Sequence, residues 1–277
     1  MGNNTKQKSK ENSASKEKIT FKSIKPVWKI LGIIAIVILI IISAVCINSA
    51  KNTKAMNNTI DIVLDSISNC GNLVEKQNEY ETIKIFGVMK FKVKQYELQN
   101  IGNVSVMTVN MFGLMQMGTV VVTPYTKDIP LLSTDFMYIL GNRKYIMEID
   151  NTMVDAGSAY KSKCNAGNAI VSKYDDLEYF SAEPSWLDEV QDVLVRKQGK
   201  DTKRLDEIVT EMTAFYSSWL NETPLLNAAG KSAKKEAVKG YAEKLITLGG
   251  LSTNVFKSAL GEDVTRDFFE KVFFGTK

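Results

Sequence analysis

The amino-acid sequence predicts an α+β protein: a single transmembrane helix followed by an α/β/α sandwich with a central antiparallel sheet. Three observations carry this expectation. Residues Ile30 to Ile47 run without a charged side chain. From Met89 an apolar–lysine alternation with the period of a strand opens a series of β-rich runs that continues to Asp150. Beyond residue 180 they recur at every third and fourth position, the period of helices.

Extended by Val27 and Trp28, the uncharged run is long enough, at about 1.5 Å per residue, to cross a hydrocarbon core of roughly 30 Å. A core helix of a soluble protein seldom reads GIIAIVILIII without one polar residue. The 29 residues ahead of the run hold eight lysines and two glutamates, whereas Lys51, Lys54, Asp61 and Asp65 follow it. The positive-inside rule then puts the N-terminus in the cytoplasm and the domain after residue 50 outside. The run is longer than a usual signal-peptide core, and Asn48, Ser49 and Ala50 make a poor small-x-small cleavage site, which points to an uncleaved anchor in the cell membrane. Val45 is bulky where a lipoprotein signal needs a small residue before Cys46, and Lys6 occupies the Ser/Thr position of a myristoylation start. The expected segments are a basic disordered cytoplasmic tail over 1–26, the membrane helix over 27–49, a helical membrane-proximal stretch over 50–79, and a domain over 80–277.

Charge and composition narrow the chemistry. Residues 1–49 carry a formal charge of +6 and the remaining 228 residues carry −2, so the basic character belongs to the tail. This argues for contact with membrane lipid and against nucleic acid. The chain has no histidine, which excludes Ser-His-Asp and Cys-His catalysis and removes the commonest metal ligand. Cys70 and Cys164 follow the membrane run; pairing between them stays open, and two cysteines are too few for a structural zinc site.

Along the domain, Ile60, Val63, Leu64 and Ile67 predict a helix stopped by Gly71. Met89, Phe91 and Val93 alternate with Lys90, Lys92 and Lys94, a strand with one wet face. Residues 104–111, 118–123, 136–140 and 145–150 continue as strands, with Gly141, Asn142 and Arg143 turning the last hairpin. A meander of five or more antiparallel strands follows. Ser185 is placed to cap a helix through Trp186, Val190 and Leu194. Leu205, Ile208, Met212, Phe215 and Trp219 form the stripe of a second helix, residues 231–247 a third, and 264–274 a closing helix laid on the sheet by Val264, Phe268, Phe269, Val272 and Phe273.

Two stretches carry a family resemblance. VVVTPYTKDIPLLSTDFMYILGNRKYIMEID, from Val120 to Asp150, resembles the middle of ferredoxin-dependent bilin reductases, where a strand ends in x-P, a loop carries D-x-P and an Asp opens a strand hairpin. FKSALGEDVTRDFFEKVFF, from Phe256 to Phe274, is similar to that family's closing helix. The resemblance covers roughly residues 80 to 275 and implies an open-chain tetrapyrrole held between the sheet and the C-terminal helices. It implies protonation from a carboxylic acid that falls on Asp135, single electrons from an external ferredoxin-like donor, and no bound metal or flavin. Thr119, where some members have a histidine, Val121 and Asn221 are the implied ligand-binding positions, with Asn221 or Glu222 near the second acid of some relatives. The glutamate of other members aligns near Met107. Ferredoxin is an internal carrier that an outward domain would not meet, so the alternative expectation is a non-catalytic extracytoplasmic domain that keeps the fold for binding.

Other signals have bland readings. Asn57, Asn103 and Asn221 open N-x-Ser/Thr sequons, common by chance in an Asn-rich chain. Met107, Met111, Met115 and Met117 fit core packing. Glu148 and Asp150 share a strand face and Asp175, Asp176 and Glu178 share a loop, and neither group is expected to hold a metal.

Overall fold

The computed structural model describes residues 24–277 except 88, 182–184 and 201. The tail expected over 1–26 therefore lies almost wholly outside the described residues. The chain divides into two units, residues 1–44 and 45–277. Helix α1 (Ile24–Ser68) is, among the described residues, the one helix long and apolar enough to cross a membrane. Every residue from Ile30 to Ala44 is exposed.

The second unit is built on a nine-stranded antiparallel sheet ordered β1-β3-β4-β5-β6-β7-β9-β8, with β2 also paired to β3. The strands are β1 (Leu73–Lys76), β2 (Thr82–Ile85), β3 (Met89–Leu98), β4 (Gly102–Met111), β5 (Met115–Pro124), β6 (Leu131–Ile139), β7 (Asn142–Asp150), β8 (Glu178–Tyr179) and β9 (Gln191–Gly199). The expected meander is β3 to β7. Leu140 (φ 47°) and Gly141 (φ 84°) make the two-residue turn of the last hairpin, both left-handed as a type I′ turn requires.

One sheet face presents Val104, Val106, Val120, Val122, Phe136, Tyr138, Tyr145 and Met147 to α1, α2 (Ser158–Ser172) and α3 (Thr202–Glu222). α1 enters this core through Ile60, Val63 and Ile67, with Leu64 partly buried beside them as the sequence reading has it, and the stripe reaches one turn further back to Met56. A polar knot sits inside it: Thr59 Oγ1 lies 2.8 Å from Tyr138 Oη and donates to Asp206 Oδ1 at 2.9 Å, and the two hydroxyls of Tyr138 and Tyr145 are 2.7 Å apart. α1, the sheet and α3 are thereby fixed in register.

The other face carries α4 (Ala228–Leu248), α5 (Leu251–Leu260), α6 (Glu262–Phe268) and a π-helical turn over Phe269–Phe273. Phe256, Phe268, Phe269, Phe273 and Phe274 bury a cluster of rings over β2 to β5, with Phe256 and Phe268 stacked, their centroids 5.4 Å apart. Asn103 Nδ2 donates to Val272 O at 3.1 Å and Ser105 Oγ to Phe273 O at 2.8 Å, pinning the chain end to β4. Buried in this contact, Asn103 is not available as a sequon in the folded chain.

Three details differ from expectation. The helix expected from Ser185 is a single 3-10 turn, Trp186–Glu189, closed by a capping box between Ser185 and Asp188, and the chain then becomes β9. Val193 and Val195 fit a strand, and the free edge of β7 supplies its hydrogen bonds, so tertiary pairing overrides the helical spacing. α2 gives no strong sequence signal because only Tyr160, Cys164 and Gly167 of its polar, small-residue stretch are buried. The closing helix expected over 264–274 is α6 continued by the π-helical turn, and Gly261 (φ 84°) separates it from α5 within the 256–274 stretch. The cysteines are free, Cys70 donating to Ser217 O.

Candidate functional site

Along β6 and β7 the burial pattern alternates between the two faces. The residues on the α1–α3 side are buried, whereas Met117, Ser133, Asp135, Met137, Lys144, Ile146, Glu148 and Leu194 on the other side are only half-buried. The phenylalanine cluster covers β2 to β5 and leaves this half of the face partly open. The ladder register places Thr119, Asp135, Ile146 and Arg196 in one row across four strands, and Val121, Ser133, Glu148 and Leu194 in the next. Leu131 and Asp150 begin the third row.

Three carboxyl groups thus share one sheet face, Asp135 and Glu148 half-buried and Asp150 fully buried. The Thr119 hydroxyl donates to Asp135 Oδ1 at 2.5 Å, and Tyr241 on α4 donates to Asp150 Oδ2 at 2.8 Å. Burial lifts the Asp135 carboxyl above the usual carboxylate range, with the Thr119 hydrogen bond opposing it. Burial lifts Glu148 well above that range too; the charges of Asp150 and Asp135 push the same way, and Arg196 and Gln191 oppose them. Asp150 is raised by its burial, with the Tyr241 bond opposing and Asp192 adding. Such acids keep protons that an exposed carboxylate would have lost, the condition for donating one near neutral pH.

Around them several polar atoms are buried without a hydrogen-bond partner among the described residues: Asp150 Oδ1, Gln191 Nε2 and Arg196 Nε. Buried polar atoms are normally paired, so this concentration between β7 and β9 marks a polar patch with unused bonding capacity. Arg196 also reaches Asp188 at 4.0 Å, and Trp186 closes the margin by packing on Tyr241 and donating from Nε1 to Gly249 O at 2.8 Å.

Of the residues singled out in the sequence, Thr119 and Asp135 are in contact. Val121 lies in the adjoining row but is fully buried beneath the aromatic cluster. Asn221 is exposed at the end of α3, which packs on the opposite face, and Glu222 there pairs with Lys163 at 2.6 Å. Met107 is buried beside Thr119. Glu148 and Asp150 were legible as a same-face pair, and Asp135 through the resemblance, but the register that brings the three to one face was not. The D-I-P loop is a latch: Asp128 accepts from the Val154 and Asp155 amides at 2.9 and 3.0 Å, and the buried Lys234 amine donates to Ile129 O at 2.5 Å and Thr152 O at 2.6 Å.

The antiparallel sheet with helices over both faces, behind a long apolar N-terminal helix, has the bilin-reductase fold. Among solved structures, phytochromobilin synthase from tomato, in complex with biliverdin, matches with a TM-score of 0.66 over 80% of this chain and 83% of that one, at 13% identity. It is a ferredoxin-dependent bilin reductase, and the relationship is a distant one of fold. No protein-family model and no curated protein matches the chain.

Proposed function

We propose that this chain is a single-pass membrane protein, N-terminus cytoplasmic and domain outward, that binds an open-chain tetrapyrrole on the half-open sheet face and reduces one of its double bonds with Asp135 as proton donor. The observation that carries the reading is the Thr119–Asp135 pair, a proton-holding acid set on the open face of this fold. A bilin is flat, conjugated and apolar with two propionates. Met117, Met137, Ile146 and Leu194 offer the apolar floor, and Arg196 and Lys144 offer cations for the propionates. Adding hydrogen across a carbon–carbon double bond takes two electrons and two protons. The electrons would come singly from an external iron–sulfur donor, one proton from Asp135 and the other from the Glu148–Asp150 pair.

A second reading, a domain that binds the pigment or a protein partner without chemistry, is favoured by the lack of any histidine and by the outward orientation expected from the lysines. Anaerobic reduction separates the two. Given biliverdin and a one-electron chemical donor, the detergent-solubilised full chain should change the pigment's visible spectrum catalytically, and Asp135→Asn should bind the pigment but lose the reaction. Binding with no turnover in either protein would leave the second reading.

A further inference from the structure

Three hairpin tips stand at one end of the sheet. Phe86 joins β2 to β3, Phe112 and Leu114 join β4 to β5, and Leu140 joins β6 to β7. Their shared end follows from the register, since Phe91 pairs with Val109, Met111 with Met115 and Met115 with Ile139, and the Leu140 amide donates to Leu114 O at 3.3 Å. Tips two strands apart, at about 4.8 Å per strand, form a row roughly 20 Å long.

Each tip offers its apolar side chain to solvent: Phe86 is 63%, Phe112 67% and Leu140 68% exposed. Each of these three also sits in the left-handed region, at φ 51°, 53° and 47°. Water gives no reason to place a bulky apolar residue at a strained, exposed turn where Asn or Gly is the usual occupant, and the turn at the opposite end of the sheet, between β3 and β4, does carry Asn100 (φ 61°). Lys84 and Lys90 are direct cross-strand partners beside the Phe86 tip, a like-charge pair that is unfavourable in water and favourable against anions.

The same end meets the apolar run of α1. Ser49 Oγ accepts from Asn110 Nδ2 at 3.0 Å, and a side chain at Gly113 would touch Val45 at 3.1 Å and Ser49 at 3.3 Å. The uncharged run ends at Ile47, between those two residues.

We infer that Phe86, Phe112, Leu114 and Leu140 insert into the interfacial layer of the bilayer that α1 crosses, with Lys84 and Lys90 at the anionic headgroups. This holds the domain against the membrane by its sheet end. The inference rests on the reading of α1 as a membrane span and adds a second contact with the same lipid.

The test is photocrosslinking of the full chain in vesicles of phosphatidylcholine and phosphatidylglycerol. Benzoylphenylalanine is placed in turn at Phe86, Phe112 and Leu140, with Ile38 in the apolar run and Asn100 at the far end of the sheet as references, and lipid adducts are read by mass spectrometry. Adducts at the three tips and at Ile38, falling to background at Asn100, are expected. Adducts at Ile38 with background at the tips would overturn the inference and leave the anchor standing. Background at Ile38 would overturn the anchor and the inference with it.

Discussion

Thr119 donates its hydroxyl to Asp135 Oδ1 at 2.5 Å across the β5–β6 ladder, and yet the Asp135 carboxyl holds its proton more tightly than an exposed one. The bond stabilises the charged form and burial the neutral one, and burial wins. Thr119→Val removes the opposing effect while keeping the shape. The Asp135 pKa should then rise further, which carbon-13 NMR of the labelled carboxyl would report; a fall would mean that the hydroxyl serves the neutral acid instead.

The three raised acids make stability depend on pH in a definite direction. An unfolded carboxyl ionises near about pH 4, whereas Asp135, Glu148 and Asp150 stay protonated to higher pH in the fold. Stability is therefore fully present below the unfolded value and is lost as pH climbs through the raised folded values, at about 1.4 kcal/mol per tenfold difference in proton affinity. Urea midpoints should decline as pH rises from about 4, where the unfolded carboxyls ionise, through about 7, where Asp150 loses its proton in the fold. Glu148→Gln should flatten the slope, and an unchanged slope would remove Glu148 from the account.

The knot at Thr59 joins the helix that leaves the apolar run to the sheet and to α3. Thr59→Val leaves Asp206 and the tyrosine hydroxyls short of a partner and should cost about 2 kcal/mol in urea denaturation. The return of stability in a Thr59→Ser chain would assign the loss to the hydroxyl rather than to packing.

Lys234 is buried with two carbonyl acceptors and Asp128 3.8 Å away, and burial pulls its amine down to about 8. Lys234→Met should cost about 3 kcal/mol by orphaning those acceptors and loosening α4 from the D-I-P loop. In the native chain the amine is held nearer to neutrality than in the unfolded one. Stability should therefore rise with pH between about 8 and about 10.5, a gain that Lys234→Met abolishes.

Much of this was legible beforehand for a physical reason: β3 has one wet face, so period two marks it, and β4 to β7 are runs rich in strand-forming side chains separated by turns. β9 was read as a helix because Trp186, Val190 and Leu194 mimic a helical stripe, and only the unpaired edge of β7 decides otherwise. Asp135 was legible through a family resemblance; its meeting with Glu148 and Asp150 depends on register between β6 and β7, which no local pattern encodes. Asn221 lay close to the expected acid in sequence order but on the helix that covers the other face.

The most direct measurement is a titration of biliverdin into the detergent-solubilised full chain, followed by visible absorption, beside a Ser133→Trp chain that fills the open face between Asp135 and Glu148. The account predicts saturable binding with a spectral change, lost in Ser133→Trp while its urea midpoint is kept. Absence of binding to the native chain, or equal binding to both, would contradict a tetrapyrrole site on this face.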